Sequence, residues 1–351
     1  MPPQTHMDPA PTAPTAPTAP ATPIATKATG PVIPPPVAAV AAVAAAASSA
    51  ATPDPPVAAP AACNYSEEDD LPFFEPGGKS PPIFLPQDRG TLSPAALDGS
   101  PYGFFFQPSA SNSTKWTVAI QGGGWCYDEV DCYCRSKMHY GTSTLLPATA
   151  GCQCFNPLED GSGMDTDCNC LYLPYLDGGS FSGFRADPVP VPPGGGVPAK
   201  TTIMMRGVKN LDGTIEHALA HLGLAGATEL VVQGTSAGGL STFLHADRIT
   251  GAVRAAAPAL KKVAAAPIVG YFLDHGNLVN SSGATGPNTQ AWSNISSHTA
   301  ANYTTWMTYV YTMQNMTFGT DGGLTEACRT KHPTQPHLCF MYVRRTTERL
   351  E

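Results

Sequence analysis

The chain has 351 residues, of which 19 are basic and 27 acidic, for a formal net charge of −8 at pH 7. These charges are spread without long blocks, which excludes an electrostatic footprint for nucleic acid. The length allows two average domains or one large α/β domain with an appendage, and the composition selects the second.

Residues 1–62 are almost entirely Pro, Ala and Thr, with APTAPTAPTAP as a near-repeat. Such a segment lacks the large apolar side chains that offset ordering entropy, so a disordered low-complexity arm is expected. It reads equally as a processed extension, an O-glycosylated stalk, or coding sequence upstream of the true start. Within it, VAAVAAVAAAASSA (37–50) is the candidate targeting segment: uncharged, of h-region length, and preceded by Lys27 as its positive charge. It is shorter than the roughly 20 apolar residues of a membrane span. No later segment does better, so no stable membrane span is expected.

From residue 63 onward the chain reads as folded. KWTVAI (115–120), LYLPYL (171–176), TTIMM (201–205) and ELVVQ (229–233) are short apolar or alternating runs bounded by Gly, Pro or polar turns, and are expected as strands. Between the last two, LDGTIEHALAHLGL repeats Ile215, Leu219 and Leu222 at helical spacing, with Gly223 and Gly226 as stops. Leu240, Phe243 and Leu244 mark one face of a following helix. Strand, helix, strand, helix implies an α/β fold with a parallel sheet. The Pro/Gly-rich segment 183–200 is expected as an inserted loop.

Ten cysteines, at Cys63 and between Cys126 and Cys339, point to an oxidising compartment. Six Asn-X-Ser/Thr sequons, at Asn64, Asn112, Asn280, Asn294, Asn302 and Asn315, agree with it. A secreted or extracellular glycoprotein is expected. Cys132/Cys134, Cys152/Cys154 and Cys168/Cys170 form three C-x-C pairs. Zinc is one reading of such pairs, but the usual ligand spacing is C-x₂₋₄-C. Disulfides are the reading carried forward.

Two motifs carry chemistry. Gly234-Thr235-Ser236-Ala237-Gly238 matches G-x-S-x-G, with a strand before it and a helix after it. That context makes Ser236 a candidate nucleophile and the Ala237 amide a candidate oxyanion donor; the alternative is a glycine-rich turn with an incidental serine. Three glycines, Gly122 to Gly124, follow the KWTVAI strand, where an α/β-hydrolase keeps the loop that supplies its other oxyanion donor. Gly124 and Trp125 are the candidates there. No G-x-G-x-x-G accompanies them, so no dinucleotide is indicated. No metal or other cofactor is expected.

The motifs in order resemble the pectin acetylesterase/Notum family. ALDGSPYGFFF (96–106), QGGGWCYDEVDC (121–132), RSKMHYGTST (135–144), YLDGGSFSG (175–183), MMRG (204–207), GTSAGGLSTFLHAD (234–247), GYFLD (270–274) and HLCFMYV (337–343) are similar to its successive segments. The resemblance implies an α/β-hydrolase-like fold with a mostly parallel sheet flanked by helices. It also implies a serine carboxylesterase, with Ser236 as nucleophile and Gly124, Trp125 and Ala237 as oxyanion hole. Two family cysteines are replaced here by Ala96 and Leu176. If they bridge each other in relatives, the chain forgoes ~2–4 kcal/mol of cross-linking.

The resemblance places the family's triad Asp and His downstream of HLCFMYV, where this sequence has no counterpart. The chain is therefore expected to be a C-terminally incomplete member, a partial α/β-hydrolase-like domain over 63–351, impaired in this form. The histidines after Ser236 are His245, His275, His298, His332 and His337. Asp321 with His332 or His337 satisfies the chain order of a triad, but both histidines flank prolines in a loop and no replacement triad is expected. The leading expectation is a monomeric, secreted esterase that deacetylates polysaccharide. A Notum-like deacylase acting on an acylated glycoprotein and an inert secreted binding or wall-associated glycoprotein are the alternatives.

Overall fold

A computed structural model describes residues 63, 80–151, 154, 167–194, 196–272, 303–319 and 321–341. The Pro/Ala/Thr arm, the 37–50 segment, His275, His298 and the sequons at Asn64, Asn280, Asn294 and Asn302 lie outside these residues. Asn112 is described and exposed, at a turn with φ 59°. Asn315, also at positive φ, donates its Nδ2 to the Phe184 carbonyl at 2.9 Å.

In chain order the strands are β1 (Pro82–Phe84), β2 (Gly103–Gln107), β3 (Lys115–Ile120), β4 (Asn169–Leu173), β5 (Val189–Pro190), β6 (Thr202–Ile203), β7 (Glu229–Thr235) and β8 (Lys262–Ile268). The α-helices are α1 (Glu129–Arg135), α2 (Gly207–His217), α3 (Ala237–Ala256), α4 (Tyr303–Met313), α5 (Glu326–Lys331) and α6 (Leu338–Met341). Among the described residues one six-stranded sheet runs β1-β2-β4-β3-β7-β8. Strands β4, β3, β7 and β8 are parallel, and β2 and β1 add antiparallel at one edge. Helix α3 packs against β7, β8 and β3. This is the mixed, mostly parallel sheet with helices of an α/β-hydrolase-like fold.

Strand β3 coincides with KWTVAI, and Val118, Ile120, Leu230 and Val232 on the paired β3 and β7 are buried, as the central strands of a parallel sheet require. Strand β4 ends at Leu173 because Pro174 has no N–H to donate to a ladder. The segment 201–205 departs from expectation. Only Thr202 and Ile203 are extended, and they pair antiparallel with Val189 and Pro190 from the 183–200 segment in a separate two-stranded ribbon. The physical reason is that the segment's other backbone bonds are taken up outside the sheet: the Thr201 carbonyl accepts from the Val191 N–H, the Met204 N–H donates to the Leu97 carbonyl and the Met205 carbonyl accepts from the Arg185 N–H, each at 2.9 Å. The expected loop thus contributes a strand of its own.

Helix α2 starts before the periodic apolar run and gives way at Ala218 to a π-turn through Leu222, closed by Gly223 at φ 89°. Helix α3 buries Leu240 and Leu244 while Phe243 is half-buried, so the expected face is the inner one. Gly251 of α3 has no neighbouring atom within 4 Å of where a Cβ would stand. Gly251→Ala should therefore stabilise the protein by about 0.5–1 kcal/mol through helix propensity alone. A lowered urea midpoint would contradict that.

The C-x-C cysteines take separate partners in disulfides: Cys134 with Cys63, Cys132 with Cys126, and Cys154 with Cys168. Cys328 joins Cys339, and no described cysteine is free. Ala96 and Leu176 are both fully buried, on segments joined by the Leu97 N–H to Leu176 carbonyl bond. Buried apolar side chains stand at both positions where the resemblance places a cysteine.

Candidate active site

Strand β7 ends at Thr235 and helix α3 begins at Ala237, leaving Ser236 as the single residue of the bend, at φ 58° and ψ −124°. A non-glycine residue there is strained and needs surroundings that impose it. The flanking glycines are those surroundings. A Cβ on Gly234 would stand 2.2 Å from the Gly238 carbonyl oxygen, and one on Gly238 would stand 2.3 Å from the Ile120 oxygen. The Ser236 N–H donates to the Ile268 carbonyl at 3.0 Å, tying the bend to β8. Its hydroxyl makes no capping bond to α3, and the residue is half-exposed. The hydroxyl stands at the N-terminus of a 20-residue helix, where backbone N–H groups lack intrahelical partners.

The glycine loop is brought to the same place because Ile120 and Gly234 are register partners, so both loops leave the sheet side by side at its carboxyl end. A Cβ on Gly122 would lie 2.1 Å from the Thr235 oxygen and 3.0 Å from the Ser236 Cβ. Only a glycine permits that approach. Gly124 adopts φ 69°. Arg135, at the end of α1, donates Nη1 to the Gly123 carbonyl at 2.7 Å and Nη2 to the Trp125 carbonyl at 3.3 Å. Because the amide N–H of a trans peptide points opposite to the preceding carbonyl, this grip turns the Gly124 N–H away from the cation. The Gly124 and Ala237 N–H groups have no hydrogen-bond partner among the described residues. The Trp125 side chain is buried, its ring edge-on to Phe272 at 4.8 Å and its Nε1–H on the Ser180 hydroxyl. Ser236, Gly124, Trp125 and Ala237 therefore belong to two adjoining loops.

Two titratable residues to which the sequence assigns no role, Asp177 and His245, are fully buried. Asp177 is fully buried and its Oδ2 accepts from the Gly179 and Phe181 amides. Burial pushes its carboxyl up to about 7, against the lowering effect of those amides and of Arg135. His245 on α3 is also fully buried, with Nε2 and the Ser182 hydroxyl 2.8 Å apart. Burial brings it down to about 3, with Arg248 acting in the same direction. The two shifts oppose each other in stability. From pH 7 down to about 4 the native state holds a proton on Asp177 that the unfolded chain does not, so acidification stabilises. From pH 6.5 down to about 3 the unfolded chain protonates His245 while the native state does not, so acidification destabilises. Wild type should be nearly flat between pH 4 and 6.5 with respect to this pair. Asp177→Asn should expose the histidine slope, losing up to about 1.4 kcal/mol per pH unit on acidification. Denaturant midpoints across that range check it, and an equally flat variant would contradict it.

The described histidines after Ser236 lie elsewhere. His245 is nine residues along α3, about 13 Å of helical rise from the bend. His332 caps the end of α5 and His337 packs against the Tyr311 ring. Asp321 pairs with Lys209 at 3.1 Å, not with either histidine. Among the described residues none hydrogen-bonds the Ser236 hydroxyl. No cluster of three or more His, Cys, Asp or Glu among them is placed to hold a metal.

The sequence model of the pectinacetylesterase family matches residues 84–318, well over half of the chain. Pectin acetylesterase 11 of Arabidopsis thaliana is 28% identical over 57% of this chain and 48% of its own length. Pectin acetylesterase 5 of the same plant is 30% identical over 50% and 43% respectively. The palmitoleoyl-protein carboxylesterase Notum of Drosophila melanogaster is 30% identical over 43% of this chain and 22% of its own length. The chain thus spans about half the length, or less, of these curated relatives. A solved structure of the Wnt deacylase Notum from Drosophila superposes with a TM-score of 0.54 at 24% identity, covering 74% of this chain and 66% of that one, a likeness of fold.

Proposed function

The chain belongs to the pectinacetylesterase family, and from that membership we propose that it is a serine carboxylesterase that removes acetyl groups from polysaccharide through an acyl-serine. Ser236 Oγ attacks the ester carbonyl carbon, and the carbonyl oxygen becomes an oxyanion held by the amides of Gly124, Trp125 and Ala237. Collapse breaks the C–O bond to the sugar, whose oxygen takes up a proton in place of the one lost from Ser236 Oγ, and leaves acetyl on Ser236; attack by water then releases acetate and returns a proton to Ser236 Oγ. The observation that carries this reading is the close approach of Gly122 to the Ser236 bend, because it joins a hydroxyl and an amide that have no hydrogen-bond partner among the described residues. The four described disulfides support a secreted, extracellular setting, and Asn112 is an exposed acceptor for a glycan.

Release of acetate from acetylated pectin, compared with hydrolysis of p-nitrophenyl acetate and octanoate, tests the substrate class. Preference for acetyl is expected. A strong octanoyl preference would replace this reading with the protein deacylase, which the similarity to Notum favours. An inert glycoprotein is favoured by the absence of any described histidine on Ser236; it predicts no hydrolysis of any of the three substrates.

A further inference from the structure

Residues 177–183 form a turn whose conformation is unusual for its composition. Ser180 and Phe181 are consecutive non-glycine residues in the left-handed region, at φ 54° and 55°, between Gly178 and Gly183 at 62° and 82°. Such a pair persists only where the surroundings over-determine it. Here Asp177 Oδ2 takes the Gly179 and Phe181 amides, and the Tyr175 hydroxyl accepts the Ser180 N–H at 2.7 Å. The conformation aims one group: the Ser180 hydroxyl, which is fully buried.

That hydroxyl joins the two loops. It lies 2.9 Å from Trp125 Nε1 and 2.9 Å from the Ala237 carbonyl oxygen. The polarity is not open to choice. An indole N–H only donates and a carbonyl only accepts, so the hydroxyl accepts from Trp125 and donates its proton to Ala237. Trp125 belongs to the glycine loop, and Ala237 is the first residue of α3 beyond the serine bend. One buried oxygen therefore bridges the two segments that carry the Gly124, Trp125 and Ala237 amides, in addition to the β3–β7 register and the Gly122 approach.

We propose that Ser180 is a positioning residue that registers the glycine loop against the serine bend, so that amides from both can meet one developing oxyanion. The inference rests on the esterase reading for its catalytic consequence, while the bridge can be tested without it. In Ser180→Ala the indole N–H and the Ala237 carbonyl lose their shared partner. Trp125→Phe breaks the same bridge from its other end and keeps an aromatic ring against Phe272.

The experiment compares wild type, the two single variants and the double variant by amide NMR and by the rate at which a fluorophosphonate labels Ser236. Ser180→Ala should move the Gly124 and Ala237 amide resonances together and slow labelling roughly 10- to 100-fold, as expected for sub-ångström misplacement of reacting groups. The two substitutions should be strongly non-additive, the double variant labelling about as slowly as the slower single one. Unmoved Gly124 and Ala237 resonances in both single variants, or fully additive effects on labelling, would overturn the proposal. Should wild type not label at all, the esterase reading fails, and the coupled movement of the two resonances still decides the bridge. If Ser180→Ala does not fold, Trp125→Phe alone must show the coupled shift for the proposal to stand.

Discussion

Ser236→Ala should abolish labelling by a fluorophosphonate and reduce ester hydrolysis to background, because the acyl-serine of the proposed route can no longer form. Its folded stability should stay within about 0.5 kcal/mol of wild type. The two halves of this expectation have one cause. The Ser236 hydroxyl caps nothing in α3 and has no partner among the described residues, so its removal orphans none of their donors or acceptors. The strained φ of 58° is a property of the bend and remains with alanine. A hydroxyl held in a costly conformation and serving no structural bond is the signature that separates a nucleophile from an incidental turn serine. A large stability loss with labelling retained would assign Ser236 to structure.

Gly122→Ala should cost a factor of about 10² to 10³ in the labelling rate, comparable to losing an oxyanion donor. It should also destabilise the fold by roughly 1–3 kcal/mol through overpacking. The added Cβ would stand 2.1 Å from the Thr235 oxygen and 3.0 Å from the Ser236 Cβ. The oxygen is backbone at the end of β7 and cannot swing aside as a side-chain tip does. The glycine loop must therefore retreat from the bend, carrying the Gly124 amide with it. Gly226→Ala is the control, because no atom lies within 4 Å of the new Cβ and its φ is ordinary. It should leave labelling unchanged and stabilise the fold slightly, by about 0.4–1 kcal/mol. Equal behaviour of the two variants would mean that the loop and the serine do not form one site.

How much of this was legible in the sequence depended on whether the signal was local. Strands β3 and β7 and the bend between β7 and α3 follow from alternation, from an apolar run and from glycines two residues either side of Ser236, all within one stretch of chain. The start of α2 was invisible because its N-cap is Arg206, which makes no side-chain cap bond. The pairing of 201–205 outside the main sheet has no local signal, because a short apolar run does not state which distant backbone groups will meet its own. The role of Ser180 was equally out of reach. Its left-handed backbone is imposed by Tyr175, by the Asp177 carboxylate and by neighbours as distant as Gln314, whose Nε2 donates to the Asp177 carbonyl. Arg135 stood in a motif recognised by likeness, yet nothing in that motif announced that its guanidinium holds two carbonyls of the glycine loop. Buried titratable groups show the same limit. Asp177 and His245 acquire opposite shifts from burial that no residue-type pattern encodes.

The central claim is that a single oxyanion is met by amides from two loops. A crystal structure of the chain phosphonylated on Ser236 tests it most directly. The account predicts the phosphonyl oxygen 2.7–3.1 Å, the usual span for such donors, from both the Gly124 and the Ala237 nitrogens. Phosphonate attached elsewhere, or an oxygen turned to solvent with either amide beyond hydrogen-bond reach, would contradict it.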